Sequence, residues 1–160
     1  MSEEISVSFA LQLKNQLKGD ISELMDKLRM NNSYGTDTEL PSSLRGMVWA
    51  DLQTLTSDLI VLKNLISAFN VESGNQYDIY RLDELKGMLV YLKMLDTTSG
   101  QVPDDRFSYA KEPTFRDMSC IMSQDNVDEQ IASIKDEITQ LQAAIDKRNS
   151  TGKILFSIKS

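Results

Sequence analysis

The sequence predicts a mainly α fold, an elongated antiparallel bundle of about four long helices with an irregular or β-like crossover between the third and the fourth. Four segments place apolar residues at steps of three and four, and clusters of Asn, Gly, Ser and Pro separate them. Between the third and fourth segments, residues 104–122 have no helical period. Because a chain of about 150 residues buries roughly 70% of its unfolded surface, we expect residues 1–160 to form a single helical domain with 104–122 as an insertion.

The first predicted helix runs from about Ser8 to Asn31. Its apolar residues follow one stripe, and charged and polar residues occupy the other positions. The segment NNSYGTDTELP at its end is rich in turn-forming residues and predicts a reversal of the chain. The stripe consists of Phe9, Leu13, Leu17, Ile21, Leu24 and Leu28.

The second predicted helix begins at Pro41 and Ser42 and ends at Asn70. Proline is tolerated in a first turn because its missing N–H has no helical partner there. At 1.5 Å per residue the helix spans ~40 Å, so it requires an equally long partner. Its stripe consists of Leu44, Val48, Leu52, Leu55, Leu59, Leu62, Ile66 and Phe69.

The third predicted helix begins at Ile79 or Tyr80, after the turn VESGNQ, and ends at Leu95. Its apolar stripe is broad, with Met88 and Met94 beside it, and this breadth predicts burial on two sides. We also expect the methionines of the chain to fill gaps in the core, since the methionine side chain is flexible and adapts to irregular spaces.

The fourth predicted helix begins at Asn126 and ends at Asn149. Asn126 and Glu129 have the spacing of a capping box. Apolar residues then alternate steps of four and three, as in the seam of a coiled coil. Residues 150–160 turn at Gly152 and contain a short apolar run, for which we expect either a strand paired with the β-like part of the insertion or a frayed tail. The seam consists of Val127, Ile131, Ile134, Ile138, Leu141 and Ile145.

We expect the protein to associate with itself as a homo-oligomer. Long apolar stripes on few helices leave faces that one chain does not cover. The isoleucine-rich seam of the fourth helix supports this expectation, because such seams pack against other helices.

Charge and composition exclude several classes of protein. With a formal net charge of -7, the chain lacks the basic stripe that a duplex nucleic-acid binder needs to neutralise phosphates. No apolar run approaches the ~20 residues that span a bilayer, and the first residues, MSEEIS, show no export signal. The single cysteine, Cys120, agrees with a reducing compartment. We therefore expect a cytoplasmic protein that enters no membrane.

The residue types also limit the chemistry. The chain contains no histidine, which removes the commonest general base and every Ser-His or Cys-His nucleophile pair. Cys120 lies among Met118, Ile121 and Met122, an apolar setting that does not favour a reactive thiolate. No Gly-rich phosphate loop is present, and adjacent acidic residues are better explained as solvated surface than as metal ligands. We expect no enzyme activity, no catalytic residue, no metal site and no cofactor.

The insertion contains the candidate ligand-binding site. It combines cationic donors, a hydroxyl and aromatic rings within six residues, a combination that suits a small anionic or nucleotide-like ligand. A second polar and aromatic cluster lies at the start of the third helix. The candidate residues are Arg106, Phe107, Ser108, Tyr109 and Lys111 of the insertion, and Tyr80 and Arg81 of the second cluster.

A structural interpretation of the same residues stays open. Arg106 would pair with Asp104 or Asp105 and so would not be available to a ligand. Phe107 and Phe115 would pin the insertion onto the bundle, and the second cluster would have a structural role.

The second half of the chain contains four short motifs: FN at 69–70, YRLDELKGML from Tyr80, DRFSYAKE from Asp105 and IDKRNSTGKI from Ile145. Their order and spacing resemble the bacterial family labelled septicolysin, small and largely uncharacterised helical proteins. The resemblance covers residues 59–154 and implies a helical fold. The motif positions that it implies are Asn70, Arg81 with Asp83, Arg106 with Phe107 and Ser108, and Asn149 with Thr151.

The leading expectation is a non-catalytic intracellular binding protein, a homo-oligomer that presents the insertion to a small anionic, nucleotide-like ligand. By analogy with phage proteins that sequester host immune signals, sequestration and a phage origin belong to this expectation. The first alternative is a structural or assembly protein that binds a protein partner through its helices. The second is a pore-forming, haemolysin-like protein, which the family label implies.

Overall fold

The computed structural model describes residues 3–35, 37, 39, 48–104, 106, 109 and 112–157, which form four helices and four short strands. The prediction of a mainly α fold is confirmed. Within these ranges no helix combines the length and the apolar character that crossing a membrane requires. The elements are β1 (Glu3–Ser6), α1 (Val7–Asn31), α2 (Val48–Glu72), α3 (Asn75–Lys93), β2 (Gly100–Pro103), β3 (Phe115–Met118), α4 (Gln124–Thr151) and β4 (Lys153–Phe156).

The chain divides into two compact units. Unit 1 comprises Met1–Tyr77 and Ala144–Ser160, and unit 2 comprises Asp78–Ala143. One boundary falls inside α3 and the other inside α4. The prediction of a single domain, and that of one elongated bundle of all four helices, stay predictions.

In unit 1 a strand leads directly into the first helix. The Ser6 hydroxyl oxygen accepts a hydrogen bond of 3.1 Å from the Phe9 N–H, so the last residue of β1 also caps α1. α1 begins at Val7, one residue before the predicted Ser8, and ends at the predicted Asn31. β1 was not predicted, because a segment of four residues with two glutamates shows little strand propensity.

β1 pairs antiparallel with β4, with Glu3 opposite Phe156. The run after Gly152 therefore forms the predicted short strand, but its partner is β1, so the predicted pairing with the insertion is wrong. Alternate side chains of β4, those of Ile154 and Phe156, are buried in the core of unit 1. Ile158 lies outside the described residues.

α1 and α2 pack side by side in opposite directions. Val48 and Leu52 at the start of α2 pack against Leu28 near the end of α1, and the start of α1 shares a core with the end of α2. The predicted stripes are confirmed where they are described, except that Phe9 is half-exposed. The predicted helix start at 41–44 lies outside the described residues. The buried residues of the larger core are Val7, Ala10, Leu17, Leu59, Leu62, Ile66, Ile154 and Phe156.

The turn between α2 and α3 is tighter than predicted. α2 continues to Glu72, and α3 begins at Asn75, before the predicted Ile79. Gly74 has a φ of 80°, a left-handed conformation that glycine adopts without strain and that reverses the chain at once. The Ser73 hydroxyl oxygen accepts a hydrogen bond of 3.4 Å from the Asn75 N–H, so α3 follows directly on the turn.

In unit 2, α3 packs against α4 in the opposite direction. The contacts of Arg81 with Glu137 near one end and of Thr97 with Gln124 at the other fix this orientation. The predicted seam of α4 is confirmed, and in this unit α3 covers it within the same chain. The seam therefore gives no argument for association between copies. The buried residues of this core are Leu85, Leu92, Val127 and Ile134.

α3 is buried on one side, so the predicted burial on two sides is wrong. Met88 and Met94 are 50% and 79% exposed. Among the described residues of unit 2, α4 is the one long helix that packs along α3, and it covers a single stripe. Met25 and Met30 of α1 are also at least half-exposed, so the expectation that methionines fill the core is wrong for these four.

α4 begins at Gln124, two residues before the predicted Asn126. The Ser123 hydroxyl oxygen accepts a hydrogen bond of 3.2 Å from the Asn126 N–H, and the Asn126 side-chain oxygen accepts one of 3.3 Å from the Ser123 N–H. This reciprocal pair is a capping box that begins three residues earlier than predicted. Asn126 takes the role that was assigned to Glu129.

The insertion between α3 and α4 contains a β-hairpin, which confirms the β-like crossover. β2 pairs antiparallel with β3, with Gly100 opposite Met118. The Asp104 N–H donates a hydrogen bond of 2.8 Å to the carbonyl oxygen of Thr114, which continues the pairing past the strand ends.

Candidate functional site

A groove of about 300 Å³ lies along one flank of the α1–α2 pair in unit 1. From α1 it is lined by Lys14 and Lys18, which are one helical turn apart. From α2 it is lined by Lys63, Ser67 and Asn70, whose steps of four and three place them on one helix face. Ile66, one of the buried core residues, completes the lining. We call this site the lysine groove.

The lysine groove concentrates positive charge on an acidic chain. Neither Lys14, Lys18 nor Lys63 forms an ion pair with any carboxylate among the described residues. By contrast, Lys27, further along α1, pairs with Glu23. Three ammonium groups around one groove repel each other, and an anion placed between them relieves that repulsion.

Two neutral side chains add hydrogen-bonding capacity to the groove. The Ser67 hydroxyl donates or accepts. The Asn70 side-chain oxygen accepts a hydrogen bond of 3.5 Å from the amide nitrogen of Asn75. The side-chain nitrogen of Asn70 is a donor and adds to the hydrogen-bonding capacity of the lining.

A buried polar cluster supports this end of the groove. The Asn75 side-chain nitrogen donates a hydrogen bond of 2.9 Å to the side-chain oxygen of Asn149. Arg148 donates one of 3.1 Å to the side-chain oxygen of Asn75. The family resemblance singled out Asn70 and Asn149 as parts of two different motifs. In the structure both accept a hydrogen bond from the side chain of Asn75.

The insertion residues are placed differently from the predicted ligand site. Nε and Nη2 of Arg106 donate hydrogen bonds of 2.8 Å to the two carboxylate oxygens of Asp104. The bond to Arg106 lowers the pKa of Asp104, and the bond to Asp104 raises the pKa of Arg106. This pairing is the one that the structural interpretation expected. Arg106 as a ligand-binding residue stays a prediction, with its guanidinium fork held by a carboxylate.

Of the other candidate residues in the insertion, one is exposed to solvent and three lie outside the residues that the structure describes. Tyr109 is fully exposed. Phe107, Ser108 and Lys111 lie outside the described residues. Phe115 is more than half-exposed, so it does not pin the insertion onto a core, and that part of the structural interpretation is wrong.

The second predicted cluster is divided between solvent and a salt bridge. Tyr80 is 65% exposed. Nε and Nη2 of Arg81 donate hydrogen bonds of 2.8 and 3.2 Å to the carboxylate of Glu137 on α4. The contact of Arg81 agrees with the structural interpretation of this cluster, and ligand binding by Tyr80 and Arg81 stays a prediction.

Cys120 lies in the apolar setting that the sequence predicted. It is half-buried and lines a groove of about 420 Å³ in unit 2 together with Tyr91, Met118 and Ile121. The one carboxylate among the lining residues is that of Asp96, whose Oδ1 accepts hydrogen bonds from the N–H and the hydroxyl of Thr98.

The lysine groove was not predicted from the sequence. The spacing of Lys14 and Lys18 shows that they share a face of α1, but lysines at such spacing are usually solvated. Their meeting with Lys63 depends on the register in which α1 and α2 pack. That register is a tertiary property and left no signal in either helix alone.

No protein-family model, no curated protein and no solved structure matches this chain. The resemblance to the septicolysin-labelled family therefore stays a prediction. The residues that line the lysine groove are therefore the basis for proposing a function.

Proposed function

We propose that the protein is a non-catalytic binding protein for a small anionic ligand, and that the ligand binds in the lysine groove. The observation that carries the proposal is the meeting of Lys14, Lys18 and Lys63 in one groove without ion-pair partners among the described residues. The expected cytoplasmic location and the expected homo-oligomer belong to the same proposal.

The donor set favours an anion over other small molecules. Each lysine ammonium offers three donors and no acceptor, and Asn70 adds a further donor. A ligand that satisfies this lining must be rich in acceptors, as phosphate and carboxylate groups are. The lining contains no aromatic ring, so a nucleotide base would find no stacking partner within the groove. The lysine groove therefore favours recognition of the charged group over recognition of a base.

The lining also supports binding without turnover. The polar residues of the groove are lysines, one serine and one asparagine, with no carboxylate or thiol among them. The chain has no histidine to activate the Ser67 hydroxyl as a nucleophile. We expect the bound anion to be released unchanged.

A binding experiment tests the proposal. Pyrophosphate and ATP are titrated by calorimetry into the wild type, into Lys63→Gln and into Lys86→Gln. Lys86 is exposed on α3 and does not line the groove, so its variant makes the same change of charge without altering the lining. We expect Lys63→Gln to weaken pyrophosphate binding at least tenfold and Lys86→Gln to leave it nearly unchanged. Rising ionic strength is expected to weaken binding, because the lysines are partly exposed.

The same titrations distinguish the two candidate sites. If Arg106→Ala abolishes binding while Lys63→Gln does not, the anion site is the insertion and the lysine groove is wrong. Failure of both anions to bind at millimolar concentration contradicts the proposed function. Mass spectrometry of ATP recovered after denaturation checks the absence of turnover, and recovery of ADP would contradict it.

Assembly through the helices is a second candidate function. Val90, Tyr91 and Met94 on α3 are each at least 60% exposed, a surface that a protein partner or another copy would cover. Light scattering in line with size exclusion tests it, because a mass of 18.1 kDa means a monomer and a higher mass means association.

A further inference from the structure

A second groove, of about 500 Å³, opens on the α1–α2 pair. We call it the apolar groove. Trp49, Ile60 and Val61 of α2 and Met25 of α1 line it, and each of these side chains is at least 40% exposed. Apolar side chains gathered in this way favour an apolar ligand, because a ligand removes them from water. The other lining residues are Leu52, Gln53, Thr56 and Ser57, so no charged side chain is present.

The apolar groove and the lysine groove lie end to end on one stripe of α2. Along α1, which runs in the opposite direction, Met25 lines the apolar groove and Lys18 and Lys14 line the lysine groove. Ile60 and Lys63, one turn apart, mark the change from apolar to cationic lining. The stripe on α2 alternates steps of four and three through Trp49, Gln53, Thr56, Ile60, Lys63, Ser67 and Asn70.

We propose that the two grooves together bind one single-chain amphiphile, with its anionic head on Lys14, Lys18 and Lys63 and its acyl chain along Trp49 and Ile60. The proposal rests on the proposed function, since it places the head where that function places the anion. It adds the class of ligand, a fatty acid or an alkyl phosphate.

The dimensions of the apolar groove suit a single hydrocarbon chain. Between Trp49 and Ile60 the helix rises by ~17 Å at 1.5 Å per residue. A volume of about 500 Å³ over that length gives a cross-section of about 30 Å², whereas an α-helix about 10–12 Å in diameter has a cross-section of roughly 80–110 Å². A hydrocarbon chain therefore fits better than a peptide helix.

The cationic lining of one groove and the uncharged lining of the other also suit a single ligand with an anionic end and an apolar end. An inorganic anion would pair with the lysines and leave the apolar groove exposed to water. A neutral amphiphile would cover the apolar groove and leave three ammonium groups without a counter-charge. An anionic head joined to an acyl chain meets both conditions at once.

Trp49 supplies a direct measurement, because it is the one tryptophan of the chain and lines the apolar groove. Butyl, octyl and dodecyl phosphate are titrated below their micelle concentrations while the fluorescence of Trp49 is recorded. We expect the emission to shift to shorter wavelength as the chain covers the ring. Affinity is expected to rise by up to about fourfold for every added methylene group that is buried.

Two variants and two controls test whether the head of the ligand binds in the lysine groove and its acyl chain in the apolar groove. Ile60→Ser is expected to weaken dodecyl phosphate binding at least fivefold and to leave pyrophosphate binding unchanged. Lys63→Gln is expected to weaken both at least tenfold. Leu155→Ser on β4 replaces an exposed apolar residue that lines neither groove, and Lys86→Gln removes a charge that lines neither groove. Circular dichroism checks that each variant and each complex keeps its helices.

Several results overturn the proposal. An affinity that does not depend on chain length, together with intact pyrophosphate binding, leaves the proposed function standing and refutes the amphiphile. Dodecyl maltoside binding as tightly as dodecyl phosphate would refute the role of the lysines as the head site. Binding to phosphatidylglycerol vesicles without binding of monomeric amphiphiles would mean a membrane surface. Tight binding of an acidic amphipathic peptide without amphiphile binding would mean a protein partner.

Discussion

Asn75 and Asn149 are 74 positions apart in the chain, and their buried side chains are joined by a hydrogen bond of 2.9 Å. Asn75 is fully buried and also bonds to Arg148 and Asn70. One amide thus ties the turn between α2 and α3 to the end of α4 within unit 1. A buried amide satisfied on both its oxygen and its nitrogen fixes the relative position of the segments that it joins.

We expect Asn75→Ala to lower the free energy of unfolding by about 1–3 kcal/mol, because it leaves the buried partners of Asn75 without their hydrogen bonds. Urea denaturation followed by circular dichroism measures the change. Asn64→Ala is the control, since Asn64 is exposed on α2. Equal effects of the two substitutions would mean that the buried cluster adds nothing to stability.

Two glycines provide a matched pair of substitutions. A Cβ on Gly152 would meet the ring of Phe69 and lie 2.7 Å from the carbonyl oxygen of Arg148. We expect Gly152→Ala to destabilise the protein by about 1–3 kcal/mol through this overpacking. Gly19 lies within α1 with open space where a Cβ would be, so Gly19→Ala is expected to stabilise by about 0.5–1 kcal/mol. Thermal melts of both variants test whether the two substitutions change the stability in opposite directions.

The core of unit 2 depends on one stripe of α3. Leu85 is 1% exposed, and we expect Leu85→Ala to cost about 2–5 kcal/mol because it leaves a cavity against α4. Met88, one turn further, is half-exposed, and Met88→Ala is expected to cost less than about 1 kcal/mol. Denaturant titration measures both. A large loss for Met88→Ala would mean that another surface covers α3.

The contact between Asp104 and Arg106 predicts a particular pH dependence. Because Arg106 lowers the pKa of Asp104 below 3.8, the contact stabilises the folded protein fully above pH 3.8. The stabilisation is lost as the pH falls through the lowered pKa. Carboxyl-carbon NMR of Asp104 measures this pKa. We expect Arg106→Gln to raise it more than Arg116→Gln does, because Arg116 acts only through space. An unchanged titration in Arg106→Gln would contradict the assignment.

The helices could be predicted because their signals are local and repeated. The seam of α4 and the stripe of α1 recur over several turns, and the structure buries or partly buries these residues, with the exception of Phe9. The predicted helix ends were less accurate, since each depends on one or two residues. The cap of α4 is Ser123, whereas the predicted cap was Asn126. Serine and asparagine are both favourable N-cap residues, so the sequence did not distinguish the two positions.

Features that depend on distant residues could not be predicted in this way. β1 is a strand because β4 pairs with it, and nothing within its four residues indicates that partner. Arg106 was correctly singled out as a strong donor, but its pairing with Asp104 was only one of the alternatives. The lysine groove requires the register between α1 and α2, which neither helix determines alone.

The pairing of β1 with β4 also sets the order in which the chain reaches its final structure during synthesis. Unit 2 is one continuous segment, Asp78–Ala143, so all of its core residues leave the ribosome before β4 does. Unit 1 has to wait for β4, because Ile154 and Phe156 belong to its core and are synthesised after unit 2. Any structure that unit 2 has formed by then shortens the loop that must close between β1 and β4, and a shorter loop has a lower entropic cost of closure. Until β4 pairs with β1, Val7 and Ala10 at the start of α1 lack part of the core that covers them.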